Sequence, residues 1–485
     1  MIRNQLGVIM KSVISIFISI FLLTAAGRGQ SSKFVYGDLL KKPGSEFYHM
    51  AVGLCEDYPP ETTTPAKIRG DMEVMRKVGV KFLRFGMGWD HIETAKGVFN
   101  FSFWDQFIKI AVDEYGMTLI PYFCYTPRWN STGDTSNFWN HTPKDYNEFG
   151  EFVYKTVTRY KDKVKSWEIW NEPDISDFWS GDVGDYAKLL KIGSESVRRA
   201  DPKAIVVLAG LAWNTNFTYS LFHDYDISRY VDVVNLHSYN ETWSSLPLEQ
   251  LYDHIERISD IISQYGNHQS IWLAEVGYSN YRKGAYVSYN YSAKYQYEHT
   301  PEYQANDLFR TLTLIMSTGK AAAAAWYRIE DLPVGTNVIG DVNNDFLGVV
   351  NTKFQPKPAE KALGFFVKFF KGRNLCIDGE VTITRKIGSN SIVHVFQNEE
   401  GSVAVVAWLQ THVPGTYTQT KSGNMKDKRV ENISVSIPMK LSTRALSYNE
   451  LGDKQAGPHV TAESGHTVVD LSLKGGQIYI IRIPK

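Results

Sequence analysis

The chain has 485 residues, too many for one ordinary hydrophobic core, and this length predicts either a large domain with a smaller one or two to three domains. Hydrophobic residues make up 43% and charged residues 21%, a composition that excludes a disordered or collagen-like chain. Lys plus Arg and Asp plus Glu each total 52, so no net charge favours nucleic acid or an anionic membrane as a partner. Aromatic residues reach 13%, which suits large cores and also the stacking of side chains on sugar rings.

Residues 1–27 have the pattern of a secretory signal peptide. Arg3 and Lys11 precede an apolar run at 12–23, and small residues follow at 25–27. The run is shorter than the roughly 20 residues that a membrane-spanning helix needs, and no later stretch is apolar enough to cross a membrane. No Cys follows the small residues, which argues against a lipid anchor. We therefore expect an exported protein, either secreted or periplasmic.

From about 45 to 370 the chain alternates short apolar runs with longer amphipathic ones, the pattern of a parallel sheet covered by helices, and we assign this domain to residues 28–371. The predicted strands are 47–54, 80–86, 117–123, 166–170, 204–211, 231–237, 271–275 and 322–328. The predicted helices include 65–78, 103–115, 143–163, 184–200, 246–265 and 301–318. Eight such units predict a (β/α)₈ TIM barrel, since no G-x-G-x-x-G opens a first turn as the competing doubly wound sheet would require.

The pattern changes after Gly372, where apolar residues alternate with period two and turn residues separate the runs. The clearest runs are 381–387, 391–397, 403–409, 433–439 and 477–483. Residues 372–485 are therefore predicted to form a small antiparallel β-sandwich. We expect this module to pack against the barrel, and sugar binding is the alternative role.

Two glutamates stand where predicted strands meet the mouth of the barrel. Glu172 follows the fourth strand in the string WNEPD, and Glu275 ends the seventh in LAEVG. Active sites of such barrels lie at the carboxyl ends of the strands. Two carboxylates across one cavity can hydrolyse a glycosidic bond, one as a proton donor and the other as an ionised nucleophile. A single Glu at a strand end is more often an ion-pair partner, but two of them, the first preceded by Asn171, favour catalysis.

Longer motifs around these residues resemble a known group of enzymes. The strings WEIWNEPD at 167–174 and LAEVGYS at 273–279 are similar to those of the retaining glycoside hydrolases of the (β/α)₈ clan called clan A. Further similarity lies in RFGMGWDHIETAKGVFNFSFWD at 84–105, YTPRW at 125–129 and FWSGDVGDYAKLL at 178–190. Together with a C-terminal sandwich, these motifs most resemble glycoside hydrolase family 39, with family 5 and its relatives as alternatives.

The resemblance implies a role for each matching residue. Glu172 would be the acid/base and Glu275 the nucleophile, in a double displacement on β-linked sugars. Asn171 would hydrogen-bond the 2-hydroxyl of the sugar that is cleaved. Arg84, expected at the end of the second strand, would keep the nucleophile ionised, or would be a plain ion pair at the barrel mouth.

The same resemblance extends to aromatic and imidazole side chains. His237 and Tyr239, in NLHSY at the end of the sixth strand, match a pair in the clan, with Tyr239 contacting the nucleophile. Trp326 would form an apolar floor under the sugar ring, with packing in the core only as the alternative. Trp89 and Trp129 are candidates for stacking on substrate, with plain packing as an equal alternative.

No metal or cofactor is expected. The first strand lacks a His-x-His pair, no H-E-x-x-H occurs, and the three cysteines, Cys55, Cys124 and Cys376, are widely spaced. The expected partner is an oligosaccharide or polysaccharide. A non-catalytic glycan-binding barrel and a transglycosylase are the rival functions, and the tyrosine-rich insertion at 279–300 would favour a closed pocket over an open cleft.

Overall fold

The computed structural model describes residues 39–40, 46–244, 246–281, 299–336, 340–410, 417–419 and 425–485. The predicted signal peptide lies outside these residues, as do positions 282–298 of the tyrosine-rich insertion, so both expectations stay predictions. Within the described part of the chain, no helix combines the length and the apolar character needed to cross a membrane.

Eight parallel strands of the described residues close into a barrel, in which each strand pairs with the next and the eighth pairs with the first. The strands are β1 (Ala51–Cys55), β2 (Phe82–Gly88), β3 (Thr118–Cys124), β4 (Ser166–Ile169), β5 (Ile205–Leu208), β6 (Val233–Ser238), β7 (Ser270–Val276) and β8 (Ala321–Tyr327). Nearly every residue in them is buried, as expected for strands covered on both faces. The predicted TIM barrel is confirmed.

Helices connect the strands. They are α1 (Pro65–Val78), α2 (Trp89–Ile92), α3 (Ser102–Ile108), α4 (Tyr146–Tyr160), α5 (Val183–Ala200), α6 (Thr215–His223), α7 (Gln250–Tyr265), α8 (Pro301–Ser317) and α9 (Pro358–Phe369). The first is bounded as its sequence predicts, since the Thr64 side chain accepts from the Lys67 N–H and Gly79 ends the helix with φ of 84°. The predicted helix at 103–115 is instead α3 followed by a π-helical turn, Lys109–Glu114.

The chain after α9 forms antiparallel sheets, which confirms the predicted sandwich fold. Its strands are β9 (Asn374–Cys376), β10 (Thr382–Arg385), β11 (Ser391–Asn398), β12 (Val403–Leu409), β13 (Tyr417–Gln419), β14 (Met425–Asp427), β15 (Val430–Ile437), β16 (Leu446–Tyr448), β17 (Lys454–Gln455), β18 (His459–Glu463), β19 (His466–Lys474) and β20 (Ile478–Ile483). One sheet has the order β10-β15-β19-β18 and the other β17-β16-β20-β12-β11-β9, while β13 pairs with β14.

The strand β12, in the middle of the larger sheet, is buried on both faces. Along β12, Val405 and Ala407 belong to the core between the two sheets, whereas Val406 and Trp408 belong to the core that also fills the barrel region. Trp408 Nε1 donates to Glu249 Oε1 at 2.8 Å. Because the side chains of a strand alternate between its faces, one sheet serves both cores. The predicted boundary at 371–372 falls in the short connection between α9 and β9.

Candidate active site

Ionisable side chains from three strands meet at the carboxyl end of the barrel. Glu172 follows β4, His237 lies in β6 and Glu275 lies in β7. One ligating atom of each of these three side chains lies within 4.8 Å of the other two. The carboxylate side chains are only 9% and 13% exposed, so both are largely removed from water yet open to the barrel mouth. The predicted pair of glutamates is thus brought together in space.

The backbone that presents Glu172 is strained. After β4 ends at Ile169, Trp170 has φ of 79° and Glu172 has φ of 43°, both in the left-handed region that side chains disfavour. Two hydrogen bonds hold this path, because Trp170 N–H donates to Phe123 O at 2.9 Å and Glu172 N–H donates to Gly210 O at 3.0 Å. The neighbouring strands therefore hold the turn that aims Glu172 into the mouth of the barrel.

Glu172 is placed in surroundings that favour its protonated form. Burial raises its pKa to about 8, and the nearby carboxylate of Asp174 adds to the rise. Its Oε1 lies 2.6 Å from Nδ1 of His237, and burial lowers the pKa of that imidazole to about 4. Near neutral pH the proton therefore belongs to Glu172, whose hydroxyl donates to the neutral ring of His237.

The position of His237 depends on Gly210. A Cβ atom at position 210 would overlap Nε2 of the imidazole. We expect Gly210→Ala to displace His237 and lower kcat/KM on an aryl β-glycoside by about 100-fold, the usual scale for a misplaced group at an active site. Gly379→Ala is the matched control, since a Cβ there meets nothing within 4 Å. Equal activity of the two variants, at unchanged melting temperature, would contradict this role.

Glu275 is surrounded by donors that hold its carboxylate. Tyr239 Oη donates to Oε1 at 2.6 Å, and Arg84 Nη1 donates to Oε2 at 2.6 Å. The Cys55 thiol donates to Oε2 at 3.8 Å. Burial raises the pKa of Glu275 above its ordinary value, while the Arg84 charge and the Tyr239 hydrogen bond oppose that rise. Glu275 therefore has fixed partners for its ionised form, which Glu172 lacks.

Arg84 joins several of the functional side chains. The sequence predicted Arg84 at the end of the second strand, but the residue lies within β2. Its Nε and Nη2 form two hydrogen bonds of 2.8 Å with Glu168, and Nη2 also donates to Asn171 Oδ1 at 2.8 Å. This contact leaves Nδ2 of Asn171 as the donor of the amide. Arg84 thereby fixes both Glu275 and Asn171.

Glu168 is a buried residue of the candidate site that the sequence reasoning missed. Its Oε1 accepts from Gly210 N–H at 2.7 Å and from Asn235 Nδ2 at 3.1 Å, in addition to Arg84. Asn235 Oδ1 in turn accepts from Ala274 N–H at 2.8 Å, next to Glu275. A signal was present, because Arg84 and Glu168 are charged residues inside apolar strands, and buried charges require partners.

The predicted floor under the sugar is not supported at Trp326. Its side chain is completely buried in the main core, and Nε1 donates to Leu347 O at 3.2 Å. Tyr327, the next residue of β8, instead packs with Cys55 and beside Tyr239 at the barrel mouth. Because successive side chains of a strand point to opposite faces, only one of these two rings can face the cavity.

The other two predicted tryptophans form part of the packing. Trp89 is completely buried, stacks on Phe152 at 5.7 Å and donates from Nε1 to Glu93 Oε2 at 2.8 Å. Trp129 is partly buried, and its Nε1 donates to Glu93 O at 2.7 Å. Its ring meets that of Trp89 edge to face at 5.9 Å. Trp89 therefore offers no surface to a sugar, and a stacking role for Trp129 stays a prediction.

Among the described residues, Glu172, His237 and Glu275 also form the one group of side chains with the spacing of metal ligands. Both oxygens of Glu275 already accept hydrogen bonds from Tyr239 and Arg84, and Oε1 of Glu172 contacts His237. We therefore interpret the group as one carboxyl group that is held neutral and one that is held ionised, and not as a set of metal ligands.

Comparison with solved structures defines the class of the fold. A family 39 glycoside hydrolase from the gut symbiont Bacteroides cellulosilyticus WH2 superposes with a TM-score of 0.60 at 16% identity, over 92% of this chain and 82% of that one. A monomeric β-xylosidase from Caulobacter crescentus CB15 gives a TM-score of 0.57 at 16% identity, over 92% of this chain and 97% of that one. The fold is one that glycoside hydrolases use.

Residues 37–460 match the model of Glycosyl hydrolases family 39. The chain belongs to this family, and the resemblance seen in its motifs is confirmed. A β-xylosidase of Caldicellulosiruptor saccharolyticus is 29% identical over 187 residues, 34% of this chain and 37% of that protein. Endo-1,4-β-xylanase C of Phanerodontia chrysosporium is 35% identical over 133 residues, 24% of this chain and 30% of that protein. The chain thus spans about a third of the length of these curated relatives.

Proposed function

We propose that this protein is a retaining glycoside hydrolase that cleaves β-linked glycosidic bonds by double displacement. The observation that carries the proposal is the separation of Glu172 and Glu275, which have carboxylate oxygens within 4.8 Å of each other. Retaining enzymes hold their two carboxyl groups about 5–5.5 Å apart, whereas inverting enzymes need about 6.5–9.5 Å to admit a water molecule. The close spacing therefore favours direct attack by a carboxylate.

In the first step, Glu275 attacks the anomeric carbon while Glu172 gives its proton to the leaving oxygen. The C–O bond to the leaving group breaks, and a glycosyl ester forms on Glu275. The partners of each residue support these roles, since Glu172 shares its proton with neutral His237 and Glu275 accepts from Arg84 and Tyr239. Asn171 Nδ2 is the donor available to the 2-hydroxyl of the sugar.

In the second step, Glu172 is ionised and takes a proton from water, whose oxygen attacks the anomeric carbon. The ester bond breaks, and Glu275 leaves as a carboxylate that Arg84 and Tyr239 stabilise again. The raised pKa of Glu172 suits both steps, because a carboxyl group with a pKa of about 8 gives and regains a proton readily near neutral pH.

The pH dependence of kcat/KM should be bell-shaped. Activity should fall as pH rises through about 8, because Glu172 then loses the proton it must donate. Activity should also fall on acidification, at a pH above the ordinary pKa of a glutamate, because burial raises the pKa of Glu275 and the nucleophile must be ionised. Initial rates on an aryl β-glycoside test both limbs, and Glu172→Ala should lose the alkaline one. If the alkaline limb persists in Glu172→Ala, the loss of activity at high pH arises from the ionisation of a group other than Glu172.

The relatives named as a xylosidase and as a xylanase support β-xylosides as the first substrates to test. The zero net charge of the chain suits an uncharged glycan. The test is a panel of aryl β-glycosides of xylose, glucose, galactose and mannose beside intact xylan and other polysaccharides. Proton NMR should show the β-configured sugar as the first product. Glycan binding without hydrolysis across the panel would overturn the proposal and favour a non-catalytic binding protein.

We further propose that the protein acts outside the cytoplasm, either secreted or in a periplasm. The basic residues, apolar run and small residues at 1–27 support this location. Expression with the native N-terminus, followed by cell fractionation and N-terminal sequencing, tests it. A cytoplasmic protein that keeps residues 1–27 would contradict it.

A further inference from the structure

Three partly exposed aromatic rings lie together beside the acid/base residue. Tyr125 follows β3, Trp139 lies in the loop after it, and Phe178 lies in the loop after β4. The rings of Tyr125 and Trp139 are 4.8 Å apart, and those of Tyr125 and Phe178 are 6.4 Å apart and parallel within 14°. Trp139 and Phe178 are 6.3 Å apart. We call these three residues the aromatic wall.

The two loops that carry the aromatic wall are held together by their backbones. Thr126 N–H donates to Trp139 O at 3.0 Å, and Ser180 N–H donates to Asn140 O at 2.9 Å. Asn140 Nδ2 also donates to Ser176 O at 3.2 Å. The two loops are therefore held together before any ligand arrives, which limits the conformational entropy lost when a sugar ring stacks on the aromatic side chains that they carry.

The aromatic wall is tied directly to the turn that carries Glu172. The ring of Tyr125 meets buried Trp170 edge to face at 5.5 Å, and Trp170 Nε1 donates to Phe178 O at 3.1 Å. Trp170 lies two residues before Glu172. Tyr125 therefore packs directly beside the turn that presents Glu172.

The position of the aromatic wall in the barrel indicates which part of a substrate contacts its three rings. In the closed eight-stranded sheet, β3 stands four strands away from β7, which carries Glu275. The nucleophile and the leaving group lie on opposite sides of the anomeric carbon, and the acid reaches the leaving oxygen. The aromatic wall is thus on the leaving-group side.

We propose that the aromatic wall binds the leaving-group sugar by stacking on a face of its pyranose ring. The inference rests on the proposed function and adds to it a ligand class, a β-linked sugar as leaving group. Aromatic faces suit the C–H face of a sugar, and the partial exposure of all three rings leaves surface for such a contact. In the second step, the same surface receives a sugar acceptor in competition with water.

The test compares substrates with and without a leaving-group ring. For Trp139→Ala, we expect kcat/KM on a β-1,4-linked disaccharide such as xylobiose to fall about tenfold or more. On the glycosyl fluoride of the same sugar, which carries no leaving-group ring, it should stay within about twofold. Trp139→Phe, which keeps a ring, should restore most of the loss. Tyr219→Ala is the matched control, because Tyr219 is an exposed ring that stacks on His223 of α6, outside the wall.

Transfer to an added sugar provides a second readout. With the glycosyl fluoride as donor, Trp139→Ala should shift the products away from transfer and towards hydrolysis, while Tyr219→Ala should not. Equal losses on disaccharide and fluoride, or no loss on either, would overturn the inference. Wild-type protein that cleaves a fluoride but no disaccharide would overturn it and leave the proposed function intact. Wild-type protein inert to the fluorides of xylose, glucose, galactose and mannose would instead overturn the proposed function, and the inference with it.

Discussion

Replacing Glu275 by Gln is expected to lower kcat by about 10⁴-fold or more, the scale of loss seen when a catalytic nucleophile is removed. The amide cannot form the glycosyl ester, and it removes the negative charge that Arg84 Nη1 faces at 2.6 Å. Arg84 keeps its two hydrogen bonds to Glu168, so we expect the variant to fold. Turnover of a dinitrophenyl β-glycoside measures the loss, and the melting temperature checks the fold.

A matched control and a chemical label sharpen this test. Glu114→Gln changes a surface carboxylate that pairs with Arg69, and it should leave kcat unchanged. A 2-fluoro glycoside that traps the ester should label wild-type protein on the peptide that contains Glu275. A label on the peptide of Glu172, or a Glu275→Gln variant within tenfold of wild type, would refute the assignment of the nucleophile.

Replacing Glu172 by Ala should give a different pattern of loss. Substrates with poor leaving groups should lose about 10²- to 10⁴-fold in kcat/KM, the range that general acid catalysis contributes. Dinitrophenyl glycosides need little protonation, so their first step should persist while hydrolysis of the ester slows for lack of a base. Azide needs no base and should restore turnover.

The configuration of the azide product separates the two glutamates. In Glu172→Ala, azide attacks the glycosyl ester of Glu275 and should yield the β-glycosyl azide. In Glu275→Ala, azide can only occupy the place of the missing nucleophile and should yield the α-glycosyl azide. The opposite pairing of product and variant would reverse the assigned roles. Product NMR decides between the two outcomes.

The contrast between the two carboxylates comes from their partners. Glu172 is buried beside His237 and near Asp174, which favours the neutral acid. Glu275 receives hydrogen bonds from Arg84 and Tyr239, which favour the anion. In the proposed mechanism, two groups of one chemical type take opposite roles, because the surroundings of one stabilise a proton and those of the other a charge.

Much of this arrangement was predictable from the sequence alone. Short continuous apolar runs separated by amphipathic segments predicted the barrel, since parallel strands buried on both faces are apolar along their length and the covering helices have a period of 3.6 residues. A closed barrel places the carboxyl ends of its strands in one ring. Residues that end apolar runs, such as Asn171, Glu172, His237 and Glu275, could therefore be expected to meet, and the structure brings them together.

Only the tertiary structure decided which partner each side chain meets. Glu168 was visible as a charge in an apolar strand, but its pairing with Arg84 depends on two strands that are 84 residues apart. The string AAAAAWY at 321–327 does not show which of Trp326 and Tyr327 faces the cavity, and the structure places Tyr327 beside Tyr239 at the barrel mouth. Periodicity specifies that neighbouring side chains point to opposite faces, but a shift of one residue exchanges those faces. The sequence by itself therefore determined the fold and the acidic pair, while packing and register determined their surroundings.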